Sequence, residues 1–241
     1  MSSPWETAPE AQWLRTGSSL LAATLADVNA EQLTEDSLLP DWSRAYVVSH
    51  VSANAQAIGR LLRWARTGEP TPMYPSMQDR DREIAEGAAL SLTDLTTWYA
   101  ESDSAVQSAF AELPDEAWEY RVITAQGREV PATETLWMRS REVCIHAVDL
   151  NLGVTFADLP DGFLFRLITE ATARYSASSE PVEKISITTD DGHNTWQIGN
   201  GDADVCVIGS LAAISQWLVG RGVQRLETTS GEAIPTLPKW L

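Results

Sequence analysis

The sequence predicts an α+β protein, mainly α, with a four-helix bundle over residues 1–153 and a small α+β domain over 154–241. Two observations carry this. Up to about Gly153 the apolar residues recur at helical spacing between breaks marked by Pro and Gly. Beyond residue 184 they alternate in short runs separated by turn residues, which is the rhythm of strands.

Each element follows in order. Residues 5–29 carry Trp13, Leu14, Leu20, Leu21, Leu25 and Val28 as one helical stripe. Pro40 and Asp41 introduce a second helix with Ser43 as its cap, running to about Arg66, where TGEPTPMYP stops it. A third helix is expected over 78–111, interrupted near Gly87 or Ser91, where SLTD offers a new start. LPDEAW and TAQGREVP are expected to be loops. A fourth helix begins around Thr133 and ends at Asn151–Gly153. In the second part, residues 160–176 form an amphipathic helix, and 184–189 and 195–198 form a hairpin across DDGHN. A strand at 204–208, a helix over 211–219 capped by Ser210 and a short strand at 224–228 complete it.

Composition bounds the class. The formal charge is −17, from 17 basic and 34 acidic residues, so no basic surface for nucleic acid is expected. No apolar run approaches a membrane span, and the N-terminal segment has no signal-peptide pattern. Cys144 and Cys206 have no metal-type spacing and imply no disulfide framework. A cytoplasmic protein, acting on small molecules rather than nucleic acid or membrane, is the expectation. Trp13, Trp64, Trp98, Trp137 and Trp217 fall on helices as core residues, and Trp42 seats the start of the second helix.

The histidines are the most informative residues. Only three occur. Glu142 and His146 stand at i and i+4, so both point to one side of the fourth helix. His50 shares its helix face with Val47, Ala53 and Ala57, which turns the imidazole inward, and a buried imidazole needs a partner. Asn54 is one candidate and a metal is another. Two imidazoles and a carboxylate suit a metal with an open coordination position, and bundles place metal ligands on facing core helices. Spacing alone leaves open a surface Glu–His pair and a satisfied core histidine. Cys144 is about 200° around the helix from both Glu142 and His146 and is expected to face away from them. His193, in the hairpin turn, is read as a polar turn residue.

Longer segments carry a resemblance. ITAQGREVPATETLWMRSREVCIHAVDL (Ile123 to Leu150), PDWSRAYVVSHVSANA, TGEPTPMYPS and the C-terminal GRG…TTSGE…PKWL pattern resemble the mycothiol-dependent maleylpyruvate isomerases, over essentially the whole chain. The resemblance implies a DinB-like four-helix bundle followed by a small domain similar to sterol carrier proteins. It implies a divalent metal, normally zinc, held by His50, Glu142 and His146, and mycothiol as thiol cofactor. The implied reaction is cis–trans isomerisation of maleylpyruvate to fumarylpyruvate in gentisate-type aromatic degradation. Reversible addition of a zinc-bound mycothiol thiolate would make the double bond transiently single.

The substrate carries two carboxylates, and a forked guanidinium suits them. Arg221, in the GRG segment, is the first choice for a catalytic and substrate-binding role, with a cation at a helix C-terminus as the alternative. Arg80, in SMQDRDRE, is the second choice, against an ordinary solvated charge. Two other functions stay open at this point. One is a mycothiol S-transferase acting on other electrophiles; the other is a non-catalytic DinB-like binding module.

Overall fold

The computed structural model describes residues 3–180 and 182–240 and divides into two compact units, Met1–Val154 and Thr155–Leu241. The first unit contains α1 (Pro4–Thr7), α2 (Pro9–Ala26), α3 (Ala30–Thr34), α4 (Arg44–Thr67), α5 (Met77–Ala88), α6 (Leu92–Ala111) and α7 (Glu134–Asp149). A hairpin of β1 (Arg121–Ile123) and β2 (Glu129–Pro131) stands between the last two helices. The bundle is made by α2, α4, α6 and α7: α2 packs on α7, α7 on α4, α4 on α6, and α6 closes against α2, while α5 lies on α4.

Local chemistry sets the boundaries. The stripe expected as one helix over 5–29 is split, because Pro9 opens α2 after an extended Ala8. Asn29 then starts α3 with a reciprocal capping box to Gln32, a short element that too few apolar positions announce. Ser43 caps α4 as expected, its Oγ accepting the Tyr46 N–H at 3.2 Å. Gly68, at φ 74°, ends that helix in the left-handed conformation. The interruption of the third helical stretch falls at residues 89–91, and Ser91 caps α6.

Gly87 does not break α5. It lets α5 approach its neighbours, since a Cβ there would meet Ser49 Oγ at 2.4 Å and the Trp98 ring at 2.3 Å. Asn151 (φ 52°) and Gly153 (φ 103°) turn the chain out of α7. TAQGREVP is not a plain loop: Ile123 and Glu129 are paired across the turn that Thr124–Arg128 makes. Strands of this length are too short to show alternation.

The second unit contains α8 (Asp161–Ser176), β3 (Ile185–Thr189), β4 (Thr195–Ile198), β5 (Val205–Gly209), α9 (Leu211–Leu218) and β6 (Glu227–Thr228). The sheet order is β4-β3-β5-β6. β3 is antiparallel to β4, with Ile185 opposite Ile198, and parallel to β5, with Ile185 opposite Val205. Ile185, Ile187, Ile198 and Val207 are buried together with Phe163, Leu167 and Ile168 of α8. The helices α8 and α9 pack on each other and against β4 and β5 respectively. Among the described residues no helix is long and apolar enough to cross a membrane.

Candidate metal centre

The helices α4 and α7 bring His50, Glu142 and His146 to one point: a ligand atom from each lies within 4.8 Å of the others. His50 Nε2 is 2.9 Å from Glu142 Oε2, and His146 Nε2 is 3.3 Å from the same oxygen. The two imidazole rings stand edge-on, with centroids 4.9 Å apart and planes at 88°. The sequence folds this way because the i, i+4 spacing stacks Glu142 and His146 on one face of α7. His50 comes from the side of α4 that is lined with buried Val and Ala. Asn54 is not the histidine's partner; its Oδ1 accepts from Arg139 instead. The separations and donor types fit a tetrahedral or five-coordinate divalent ion, for which nitrogen and oxygen donors lie at about 2.0–2.2 Å.

Burial and hydrogen bonds set the charge states. Burial opposes ionisation of Glu142, but its bonds to His146 and His50 outweigh that and hold its carboxyl well below the usual range. Burial also opposes protonation of His146; Asp149 and Glu142 more than offset it, and the imidazole is raised to about 9. His50 goes the other way, lowered by burial, with His146 and Arg80 adding to the effect against the pull of Glu142.

Asp149 is a candidate site residue that the sequence pattern did not single out. It is fully buried, and its Oδ2 accepts from His146 Nδ1 at 2.9 Å. That bond commits the proton to Nδ1 and leaves Nε2 to face Glu142 and His50, the usual support of a metal-binding imidazole. The signal was present in the i, i+3 spacing of His146 and Asp149.

Arg80 lies on α5 and not in a loop, and it is not an ordinary solvated charge. Its side chain is 22% exposed, with Nη2 3.4 Å from His50 Nδ1 and Nη1 on Asp81. Its guanidinium carbon sits 6.0 Å from the centre of the Tyr74 ring. Tyr74 is buried within TPMYPS, where no periodicity could single it out. Trp42 packs its ring edge-to-face against both Tyr46 and His50, with the His50 ring centre 5.3 Å away.

Cys144 faces α2 and not the triad: its Sγ lies 3.4 Å from Trp13 O, and burial pushes the thiol up, as expected of a packing residue. Arg221 belongs to the second unit, just after α9 between Gly220 (φ 76°) and Gly222 (φ 119°). Its Nη1 donates to Val219 O and its carbonyl accepts from Gln216 Nε2. His193 sits exposed in the β3–β4 turn, its N–H donating to Asp191.

A helical bundle that presents two imidazoles and a carboxylate on facing core helices has the make-up of a bundle-borne metal protein. Comparison with known proteins narrows the class. The family model described as mycothiol maleylpyruvate isomerase N-terminal domain matches residues 14–151. Two solved structures, the mycothiol-dependent maleylpyruvate isomerase and a variant of it with one histidine replaced by alanine, are each 37% identical. Each alignment covers 100% of both chains with a TM-score of 0.90. No curated protein sequence matches. The chain belongs to the mycothiol-dependent maleylpyruvate isomerase family.

Proposed function

We propose that this chain is a mycothiol-dependent maleylpyruvate isomerase, converting the cis double bond of maleylpyruvate to the trans bond of fumarylpyruvate. The observation that carries the reading is the convergence of His50, Glu142 and His146 in a chain whose full-length relatives bear that name. Those residues would hold a divalent metal, zinc by the resemblance to the family, with a coordination position left open. When bound, zinc supplies the Lewis acidity that keeps a coordinated thiol deprotonated, and mycothiol supplies the sulfur whose reversible addition frees rotation about the double bond.

The chain's own residues do the rest. Glu142, ionised between the imidazoles, contributes the charge that attracts a cation. Asp149 orients His146 and fixes its tautomer. Trp42 covers one side of His50 with an apolar ring. Arg80, next to His50 and over Tyr74, offers a partly buried guanidinium to a substrate carboxylate. Arg221, in the second unit between two glycines of positive φ, remains the candidate that the family resemblance offers for a substrate carboxylate.

The test is the decay of maleylpyruvate absorbance with purified, zinc-loaded protein, with and without mycothiol. Thiol-dependent formation of fumarylpyruvate, abolished in His50→Ala, supports the assignment. Decay that ignores the thiol, or zinc-loaded protein that gives no decay, overturns it.

A further inference from the structure

A second group of charged side chains lies inside the bundle, centred on Arg139 of α7, one turn before Glu142. The Arg139 side chain has 0% exposure. Its Nη1 donates to Val51 O at 2.8 Å and to Asn54 Oδ1 at 3.0 Å, both on α4. Its Nη2 donates to Asp103 Oδ1 on α6 at 2.9 Å. Asp103 in turn accepts from Ser18 Oγ of α2 at 2.9 Å and from Gln107 Nε2 at 2.7 Å. One guanidinium thus joins α7 directly to α4 and α6 and, through Asp103, to α2.

Stability alone does not account for this arrangement. Taking a guanidinium and a carboxylate out of water carries a large desolvation cost before their attraction returns anything, and apolar residues of like volume often pack as stably. Arg139 also keeps its Nε without a hydrogen-bond partner in the core, a further cost. What an apolar pair lacks is direction. Around His50 the buried face of α4 is lined by Val47, Val48, Val51, Ala53, Ala55 and Ala57, small side chains that give little resistance to axial sliding. A planar fork aimed at a backbone carbonyl does not tolerate sliding.

The anchor points lie beside the triad on both helices. Val51, whose carbonyl is held, follows His50, and Arg139 stands three residues before Glu142. A slip of one residue moves a helix by about 1.5 Å along its axis, whereas metal ligands must sit within about 0.2 Å of their required distances.

We infer that Arg139, its guanidinium held by Asp103 and donating to Val51 O and Asn54, is a positioning device that locks α4 in register with α7, so that His50 meets Glu142 and His146. This rests on the reading that the triad holds a divalent metal. Neither Arg139 nor Asp103 touches the triad, so both act through the helices.

The experiment uses cobalt(II) as the probe, read by its d–d absorption bands and by titration, on the full chain and two variants. Arg139→Met combined with Asp103→Asn removes both charges at nearly constant volume. Arg139→Lys keeps a charge for Asp103 but loses the fork. Expected for the double variant is a folded protein melting within roughly 5 °C of the parent. Its cobalt affinity should fall about 10–100-fold, the scale of lost support around a metal site, with shifted d–d bands; the lysine variant should fall in between. A double variant that does not fold leaves the lysine variant to decide. Parent-like cobalt affinity and spectrum in either folded variant overturns the positioning role while leaving the metal reading intact. A parent protein that binds no cobalt overturns the metal reading and this inference with it.

Discussion

His146 Nδ1 lies 2.9 Å from Asp149 Oδ2, so a fully buried carboxylate dictates which nitrogen of the imidazole faces Glu142 and His50. Substituting Asp149→Asn keeps the size but removes the charge. Zinc affinity, measured by competition with a chromophoric chelator, is expected to drop about 10–100-fold. Unchanged affinity would mean that the tautomer of His146 is set by something other than Asp149.

The same bond gives the metal-free protein a pH dependence with a definite sign. His146 is raised from 6.5 to about 9 in the folded state. Its contribution to stability is therefore fully present below about pH 6.5 and lost as pH rises through about 9. His50, shifted down, acts oppositely, its contribution being lost as pH falls. Urea unfolding of chelator-treated protein between these limits should show stability declining toward pH 9, and His146→Gln should flatten that slope. A slope that persists in the variant rules out His146 as its source.

Zinc must compete with the proton that the metal-free site holds. Because His146 binds that proton up to about pH 9, zinc affinity should strengthen as pH rises toward that value, with proton release on binding. Calorimetry in buffers of different ionisation enthalpy measures the released proton directly; zero release at pH 7 contradicts the assigned charge state.

Arg80 Nη2 faces His50 Nδ1, a contact that requires Nδ1 as acceptor. A metal held on Nε2 would leave the proton on Nδ1 and so would free the guanidinium to meet an anion. Arg80→Ala should raise KM for maleylpyruvate roughly tenfold or more, the loss expected for a charge-assisted hydrogen bond, with zinc content unchanged. Arg221→Ala should likewise raise KM or lower kcat without loss of zinc. Kinetics like the parent's would remove either residue from the site.

Gly17 is where α2 meets the backbone of α7: a Cβ would stand 2.8 Å from Cys144 N and 2.6 Å from Val143 Cγ2. Gly17→Ala gains about 1 kcal/mol of helix propensity but overpacks a backbone contact, which costs typically 1–3 kcal/mol. A lower melting temperature is the expected result, and a higher one would show that α2 moves freely.

Much of this protein is legible in its sequence. Ser43, Ser91 and Ser210 mark helix starts by local hydrogen bonding, and Asn151 and Gly153 mark an end by backbone sterics. Such signals are readable because they act over a few residues. The β1–β2 hairpin and α3 escaped because elements this short carry too few side chains to establish a period. Asp149 was legible in principle, three residues from His146 on the same helix. Tyr74 was not, since a loop residue acquires its neighbours only when the chain is folded.

By itself the sequence determined the helical periods, the caps, the pairing of Glu142 with His146 on one helix face and, through long shared segments, the family. Helical geometry makes such i, i+4 relations a local matter. Tertiary structure alone decided that His50 joins that pair, that Asn54 serves Arg139 and not His50, and that Arg80 reaches the imidazole. These contacts depend on which face of α4 meets α7 and at what axial register. That register is set by interactions between helices distant in sequence, the buried fork of Arg139 among them, and no local pattern encodes it.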